Sequence, residues 1–376
     1  MPQVVIVGAG VIGASVACHL ALRGWRDVLV LDRAPRAGDG STSRATGGFR
    51  SQFATEINIR LSLLSREKLL RFEEETGVDP GYAQHGYLFL AFSPEALAQL
   101  TRLNALHHRT GVPEARLIDP AEVRDLNPAV TDPRIVGGAF CPTDGFIRAM
   151  QILRGYCEAA TRLGVRFRFD CGEVAFRSVG DRIASARTRD GEIEGDIFVN
   201  AAGAWSSSLS AVPVQPLPRH VAATVETDAL PASMPMTIWA DDGFHLRVRD
   251  RRVLLLLPHD APFSNEARLD EEWLKNVVSV ARERVEVVRD VPIDRAHCWS
   301  GLYEMSPDGH ILLGPAADFR NLFVACGGSG HGVMHSPAIG EILAALITGG
   351  PPPFDVHPLR PSRFDEGKPI TASEIL

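Results

Sequence analysis

Val4-Val5-Ile6-Val7-Gly8-Ala9-Gly10-Val11-Ile12-Gly13 runs from an apolar, β-branched stretch into a glycine turn, and its reading decides the fold. Helical apolar spacing follows from Val11 to Leu22, and Asp27 to Leu31 is a second apolar strand. A strand-helix-strand unit with the turn in this place fits a dinucleotide-binding loop. Gly8 makes the tight turn, Gly10 lets backbone approach a pyrophosphate, and Gly13 allows close helix-strand packing. The helix start at Val11 and Ile12 offers free N–H groups and a positive dipole end to the phosphates. Asp32 ends the second strand 19 residues after Gly13, where a carboxylate accepts hydrogen bonds from ribose hydroxyls. Keeping that acid argues against a 2′-phosphate, so Arg33 reads as a solvated neighbour.

Around this unit lie 376 residues, enough for two to three domains at about 150 residues each. A 45% hydrophobic and 23% charged composition is that of an ordinary globular chain. The net charge of -7 gives no broad positive field, which argues against nucleic acid as a partner. Only Lys68, Lys275 and Lys368 are lysines; every other basic residue is arginine. Six separate cysteines lack metal or redox spacing, and reduced thiols are expected. The longest aliphatic run, Val253 to Leu257, falls far short of a ~20-residue membrane span, and no leader pattern precedes Val4. A soluble, cytoplasmic protein without an integral membrane segment is expected.

Further along, Glu56 to Glu75 reads as one long helix, Tyr87 to Phe92 as a strand, and Ser93-Pro94-Glu95 as a helix start. Arg134 to Phe140 reads as a strand, Ile147 to Leu163 as a helix and Val165 to Asn200 as a β-meander. Val214 to Leu257 alternates as strands, and Leu269 to Val288 is helical. Asn321 to Cys326 is a strand running into Gly327-Gly328-Ser329-Gly330-His331-Gly332, then a helix to Ile347. The chain thus opens and closes with strand, glycine turn and helix. Pro351 to Pro361 reads as a tail wrapped on the surface.

NAD and FAD share the first loop, and the rest of the chain chooses between them. Asp39-Gly40-Ser41-Thr42-Ser43-Arg44-Ala45-Thr46-Gly47-Gly48-Phe49-Arg50-Ser51-Gln52-Phe53 resembles the small-residue segment of the D-amino-acid-oxidase and sarcosine-oxidase superfamily of FAD enzymes. Four further stretches agree: Val199 to Trp205, Trp299 to Glu304 continuing to Ser306-Pro307-Asp308-Gly309, Gly328 to Pro337, and the tail Pro358 to Phe364. The resemblance implies a two-domain α/β and α+β flavoprotein. A Rossmann-like FAD domain of the p-hydroxybenzoate hydroxylase type would be assembled from residues 1–80, 141–213 and 293–376. An antiparallel-sheet substrate domain would come from 81–140 and 214–292.

The resemblance also carries residue roles. It places diphosphate and ribose contacts on Gly8, Gly10, Val11, Ile12, Gly13, Asp32 and Arg33, and contacts toward the isoalloxazine on Ser41, Thr42, Thr46, Gly47 and Gly48. Val174 matches a backbone contact to adenine; Ala202, Gly203 and Trp205 match a close pass near the diphosphate. Gly328, Ser329, Gly330, His331, Gly332, Val333 and Met334 would bring a helix N-terminus to the flavin pyrimidine edge, where aligned N–H dipoles favour the reduced ring. His331 and His335 lack an intervening Glu and a third ligand, so cofactor contact and packing are expected and no metal. Arg50 matches the arginine that holds an amino-acid carboxylate, a task suited to a planar guanidinium. Tyr303, Met334, His245 and Trp239 are expected to line the substrate pocket.

Departures from the pattern sharpen it. Sarcosine oxidases carry lysines at the positions of Met334 and of the Val253 to Leu257 strand; this chain has neither, which points to an electron-acceptor protein, quinone or partner subunit in place of oxygen. Tyr303 stands where glycine oxidase and D-amino-acid oxidase have arginine, and Gly301-Leu302-Tyr303-Glu304 looks like the dimethylglycine, heterotetrameric sarcosine and L-proline dehydrogenase branch. Gly301 stands near the covalent-flavin cysteine of monomeric enzymes, so FAD is expected to be noncovalent. The implied activity is oxidation of the C–N bond of a small amino or imino acid. A D-amino-acid dehydrogenase or oxidase is one alternative, and a noncatalytic FAD-binding subunit or assembly factor another.

Overall fold

Strand Val4–Val7 is buried at all four positions and hydrogen-bonded on both sides, the environment that four consecutive β-branched residues fit best. It occupies the interior of a six-stranded sheet in the computed structural model, which describes residues 2–371. Across that sheet the order is Leu312–Pro315, Leu322–Cys326, Ile197–Asn200, Val4–Val7, Val28–Leu31 and Arg166–Arg168. All neighbours are parallel except the Leu312–Pro315 edge. Residues from both ends of the chain therefore meet in one layer.

Helix Val11–Leu22 has no polar face: Val11 through Ala21 are all buried. Such a helix must be covered all round. The sheet, helix Ala149–Arg162 and helix Gly332–Ile347 cover it. Its crossing with Gly332–Ile347 is close because a side chain at Gly340 would lie 2.1 Å from the Ser15 hydroxyl. Helix Glu56–Leu70 packs on the far side of Gly332–Ile347.

A second, eight-stranded sheet runs Trp299–Met305, Gln215–Ala223, Arg252–Leu256, His245–Arg249, Met236–Trp239, Tyr87–Ala91, Gly137–Cys141 and Arg116–Ile118. Only Tyr87–Ala91 and Met236–Trp239 pair in parallel. Trp299–Met305, from the stretch expected with the nucleotide-binding layer, is an edge strand of this second sheet. The meander expected over Val165 to Asn200 is shorter: Ala175–Val179, Arg182–Thr188 and Gly191–Glu194 form a separate antiparallel sheet, while Arg166–Arg168 and Ile197–Asn200 pair in parallel within the six-stranded sheet.

Two helix and strand limits need correction. The helix expected over Glu56 to Glu75 is two helices, Glu56–Leu70 and Phe72–Thr76, with Arg71 outside helical geometry and Gly77 closing the second in the left-handed region. The strand expected from Arg134 begins at Gly137, since the Asp132 carboxylate accepts from the Arg134 amide and holds a turn there. Pro351 to Pro361 runs along the surface as expected, with Val356 and Leu359 buried, and beyond it Arg363 is fully buried, its guanidinium gripping both Asp308 carboxylate oxygens at 2.8 and 2.9 Å.

Candidate functional site

The first glycine turn opens on a cavity of about 780 Å³ that runs from Asp32 at one end to Tyr87 and His245 at the other. Gly8 has φ +113°, and a Cβ there would sit 2.2 Å from the Ala201 carbonyl oxygen; a Cβ on Gly13 would sit 1.9 Å from the Gly8 carbonyl oxygen. Both glycines are demanded by backbone packing. Gly10 differs, since a Cβ there meets nothing within 4 Å except the Thr42 hydroxyl at 3.4 Å. It faces the cavity. Thr42 caps the helix by accepting from the Val11 amide, and Asp32 accepts from the amides of Ala9 and Ala34, bracing the turn from the second strand. Arg33 is exposed, as expected, and its guanidinium stacks 3.7 Å over Trp205 at the edge of the cavity.

Residues 41–48 cross between the two sheets. Ser41 donates to the Leu302 carbonyl, tying this segment to the edge strand. Arg249 donates to the Ala45 carbonyl, and Arg247 donates to those of Thr46 and Gly47 while stacked 3.6 Å from Phe146. Burial, helped by the nearby Arg249 and Arg148 charges, brings the Arg247 guanidinium down to about 9. Gly48 lies against Tyr87, whose hydroxyl oxygen would be 1.9 Å from an added Cβ.

At the far end stands Arg50, 8% exposed and with its guanidinium 4.1 Å over Phe53. Its Nη1 donates to the Gln52 carbonyl at 2.8 Å and its Nη2 to His331 Nε2 at 3.3 Å. Arginine only donates, so His331 Nε2 is the acceptor and the ring proton sits on Nδ1. Ser62 donates to the Arg50 carbonyl, so its oxygen accepts from His335 Nε2–H. Both imidazoles are neutral: burial and the Arg50 charge hold His331 well below its ordinary value and His335 near 3. Behind Arg50, the buried Asp144 accepts from the Ser51 amide at 2.7 Å and from Gln52 Nε2 at 3.2 Å, and burial pushes its carboxyl up to about 6.

With this geometry in view, comparison with known proteins is decisive. The model of the FAD-dependent oxidoreductase family DAO matches residues 3–346. The chain belongs to the DAO family. It is 29% identical to mitochondrial dimethylglycine dehydrogenase of Rattus norvegicus over 96% of this chain and 45% of that protein. It is 27% identical to glycine oxidase of Geobacillus kaustophilus over 96% and 97% of the two chains. Its fold superposes on L-proline dehydrogenase from P.horikoshii with a TM-score of 0.91, 27% identity, and 98% and 99% of the two chains covered. The chain spans less than half the length of dimethylglycine dehydrogenase.

The cavity of this DAO-family chain suits FAD. Gly10 leaves open the approach that a side chain would fill, and two helix N-termini, at Val11 and at Gly332, border the cavity. Val174, Ala202, Gly203 and Trp205 line the nucleotide end; Thr46, Gly47, Gly48 and Gly301 line the middle. Gly330, His331, Gly332, Val333 and Met334 form the wall beside Arg50, with Tyr303 and His245 nearby. Three expected contacts stand back from the surface. Gly13 serves packing, Gly328 donates its amide to Glu304, and Ser329 accepts from the Ser306 amide while donating to the Gly327 carbonyl. Trp239 borders the cavity as expected and is otherwise fully buried, its ring packed against Phe244.

Several wall residues carry no local signal in the sequence. Arg219 and Tyr87 line the cavity, Arg247 and Asp144 hold its loops, and Glu304 supports the second glycine turn. Glu304 was readable only as part of the Gly301 to Glu304 pattern. Its Oε1 accepts from the Gly328 amide, its Oε2 has no partner among the described residues, and burial pushes it up to about 7.

Proposed function

We propose that the protein oxidises the C–N bond of a small amino or imino acid. The observation that carries this reading is Arg50: a buried guanidinium on the cavity wall, braced on one side by Gln52 and His331 and forming no ion pair among the described residues. Burial lowers its pKa, and a carboxylate restores the favoured charge. Two parallel charge-assisted hydrogen bonds to that carboxylate fix the Cα–H in one orientation. FAD, when bound, would supply the two-electron acceptor for a hydride from a carbon next to the substrate nitrogen, and water would hydrolyse the resulting imine or iminium.

The chain's residues set the conditions. His331, His335 and His245 are all neutral, His245 near 4 through burial, so the amine meets no competing cation beyond the arginines. Tyr303 turns 37% of its surface outward and supplies a phenol raised above its ordinary value by burial. A phenol here in place of a second arginine supports the dehydrogenases of sarcosine, dimethylglycine, L-proline or glycine over a D-amino-acid dehydrogenase. Met334 and Leu256 border the cavity where lysines would stand, which supports a quinone, acceptor protein or partner subunit as electron sink. Among the described residues no helix is long and apolar enough to cross a membrane, and all six cysteines are free, in keeping with a reducing, cytoplasmic setting.

The test is anaerobic flavin bleaching with sarcosine, dimethylglycine, L-proline, glycine and a set of D-amino acids. Bleaching by the first group supports the reading. Bleaching by D-amino acids alone shifts it to the D-specific enzymes, and bleaching neither by these compounds nor by amino acids with a second carboxylate makes the chain a noncatalytic FAD-binding subunit.

A further inference from the structure

Arg219 lies on strand Gln215–Ala223 and borders the same cavity as Arg50. In the pairing of that strand with Trp299–Met305, Arg219 stands opposite Gly301 and Leu217 opposite Tyr303. Directly paired residues share a face, and so do residues two apart, so Arg219 and Tyr303 are diagonal neighbours on one face. Gly301 puts no side chain over the arginine. Tyr303 in turn lies against Gly330, where an added Cβ would be 2.4 Å from its ring, next to the His331 that holds Arg50. Both arginine charges act on the Tyr303 phenol. Both cations therefore border the cavity near one tyrosine.

Nη1 of Arg219 donates to the His259 carbonyl at 2.7 Å, which fixes the guanidinium, and no ion pair forms with it among the described residues. Other inward cations are neutralised or fully engaged: Arg363 by Asp308, Arg252 by Asp294, Lys68 by Glu341, and Arg247 by two carbonyls. Arg33 and Arg44 also border the cavity, but both are exposed and water screens them. Arg219 is half-buried and only the exposed Asp260 carboxylate acts on it, so one substrate carboxylate at Arg50 would leave Arg219 without an anion from the cavity.

We propose that Arg219 is a second anion anchor, and that the preferred substrate is an amino or imino acid carrying a second carboxylate. This rests on the reading of Arg50 as the anchor of the α-carboxylate. The two anchors act together, so a diacid gains at both ends where a monoacid gains at one.

The FAD-loaded protein is titrated with unreactive acids, and binding is read from the perturbation of the flavin spectrum. Propionate, butyrate and valerate are paired with malonate, succinate and glutarate. At least one diacid binds about tenfold or more tightly than the monoacid of like length, the gain from one charge-assisted contact. Arg219→Gln brings the pair within about twofold, Arg219→Lys keeps part of the gain, and monoacids, which reach only Arg50, bind as before. Equal binding of monoacids and diacids to the unaltered protein overturns the second anchor and leaves the first standing. Equal weakening of both classes by Arg219→Gln, or loss of FAD from that variant, makes Arg219 a structural or cofactor contact and overturns it too. Absence of any perturbation by monoacids, together with no reduction by amino acids, overturns the Arg50 reading itself.

Discussion

Arg50 spends Nη1 on the Gln52 carbonyl and Nη2 on His331. Its remaining N–H groups form the two-pronged edge that a carboxylate needs. An ammonium keeps the charge and loses that edge, so Arg50→Lys should lower kcat/KM about 30-fold to 1000-fold, on the order of 2 to 4 kcal/mol, with the flavin spectrum nearly intact. Kinetics within about threefold of the unaltered protein would remove Arg50 from carboxylate binding. The neutral histidines make a second prediction at this scale. His245, His331 and His335 all titrate below the physiological range, so none of them charges between about pH 5 and 8. The acid limb of kcat/KM should follow the amine pKa of whichever substrate is used. A limb that stays between about 6 and 7 for substrates of different basicity would assign the titration to the protein, at Asp144 or Glu304.

Within one loop, glycine serves two separate ends. Gly8 and Gly13 are required by backbone atoms 2.2 and 1.9 Å from their missing Cβ positions, whereas Gly10 is open except toward Thr42. Gly10→Val should accordingly fold and melt cooperatively yet purify without flavin, since its side chain occupies the pyrophosphate approach. Gly13→Ala should lose at least about 1 to 3 kcal/mol of stability through overpacking, read as a lowered Tm or as insoluble protein. Colourless protein from both variants with equally low melting temperatures would mean that Gly10 too is structural. The second glycine turn has its own device: the amide of Gly328 rests on a buried Glu304 carboxyl, and Gly330 makes room for the Tyr303 ring.

For the whole molecule, Glu304 links stability to pH. Burial raises it from 4.5 to about 7 in the folded chain, so the folded state binds the proton more tightly than the unfolded state. Its stabilising contribution is full below about 4.5 and is lost as pH rises through about 7, on the order of 3 kcal/mol. Glu304→Gln keeps the acceptor for the Gly328 amide and removes the titration. The variant should therefore overtake the unaltered protein in Tm above pH 7 and match it near pH 4.5; parallel Tm profiles would show that Glu304 is ionised throughout. Electron transfer belongs to the same scale. Met334 and Leu256 border the cavity without a lysine, so turnover with an artificial dye acceptor should exceed turnover with oxygen. Equal rates would favour an oxidase. Gly301 offers no thiol, and acid precipitation should release the flavin into the supernatant.

The chain alone determined the glycine turn, its flanking strand and helix, the bracing acid Asp32 and the family pattern through Arg50, because each depends on neighbours within a few residues or on a contiguous motif. Its helix limits near Arg71 and its strand start near Gly137 were less legible, since a single turn bond such as Asp132 to Arg134 shifts an end. Tertiary structure decided the rest of the site. Arg247 reaches Gly47 across 200 residues, Asp144 reaches Ser51 across 93, and Arg219 faces Gly301 only through strand register. A buried polar group has to find its partner in space, and neither periodicity nor composition records which distant segment supplies it.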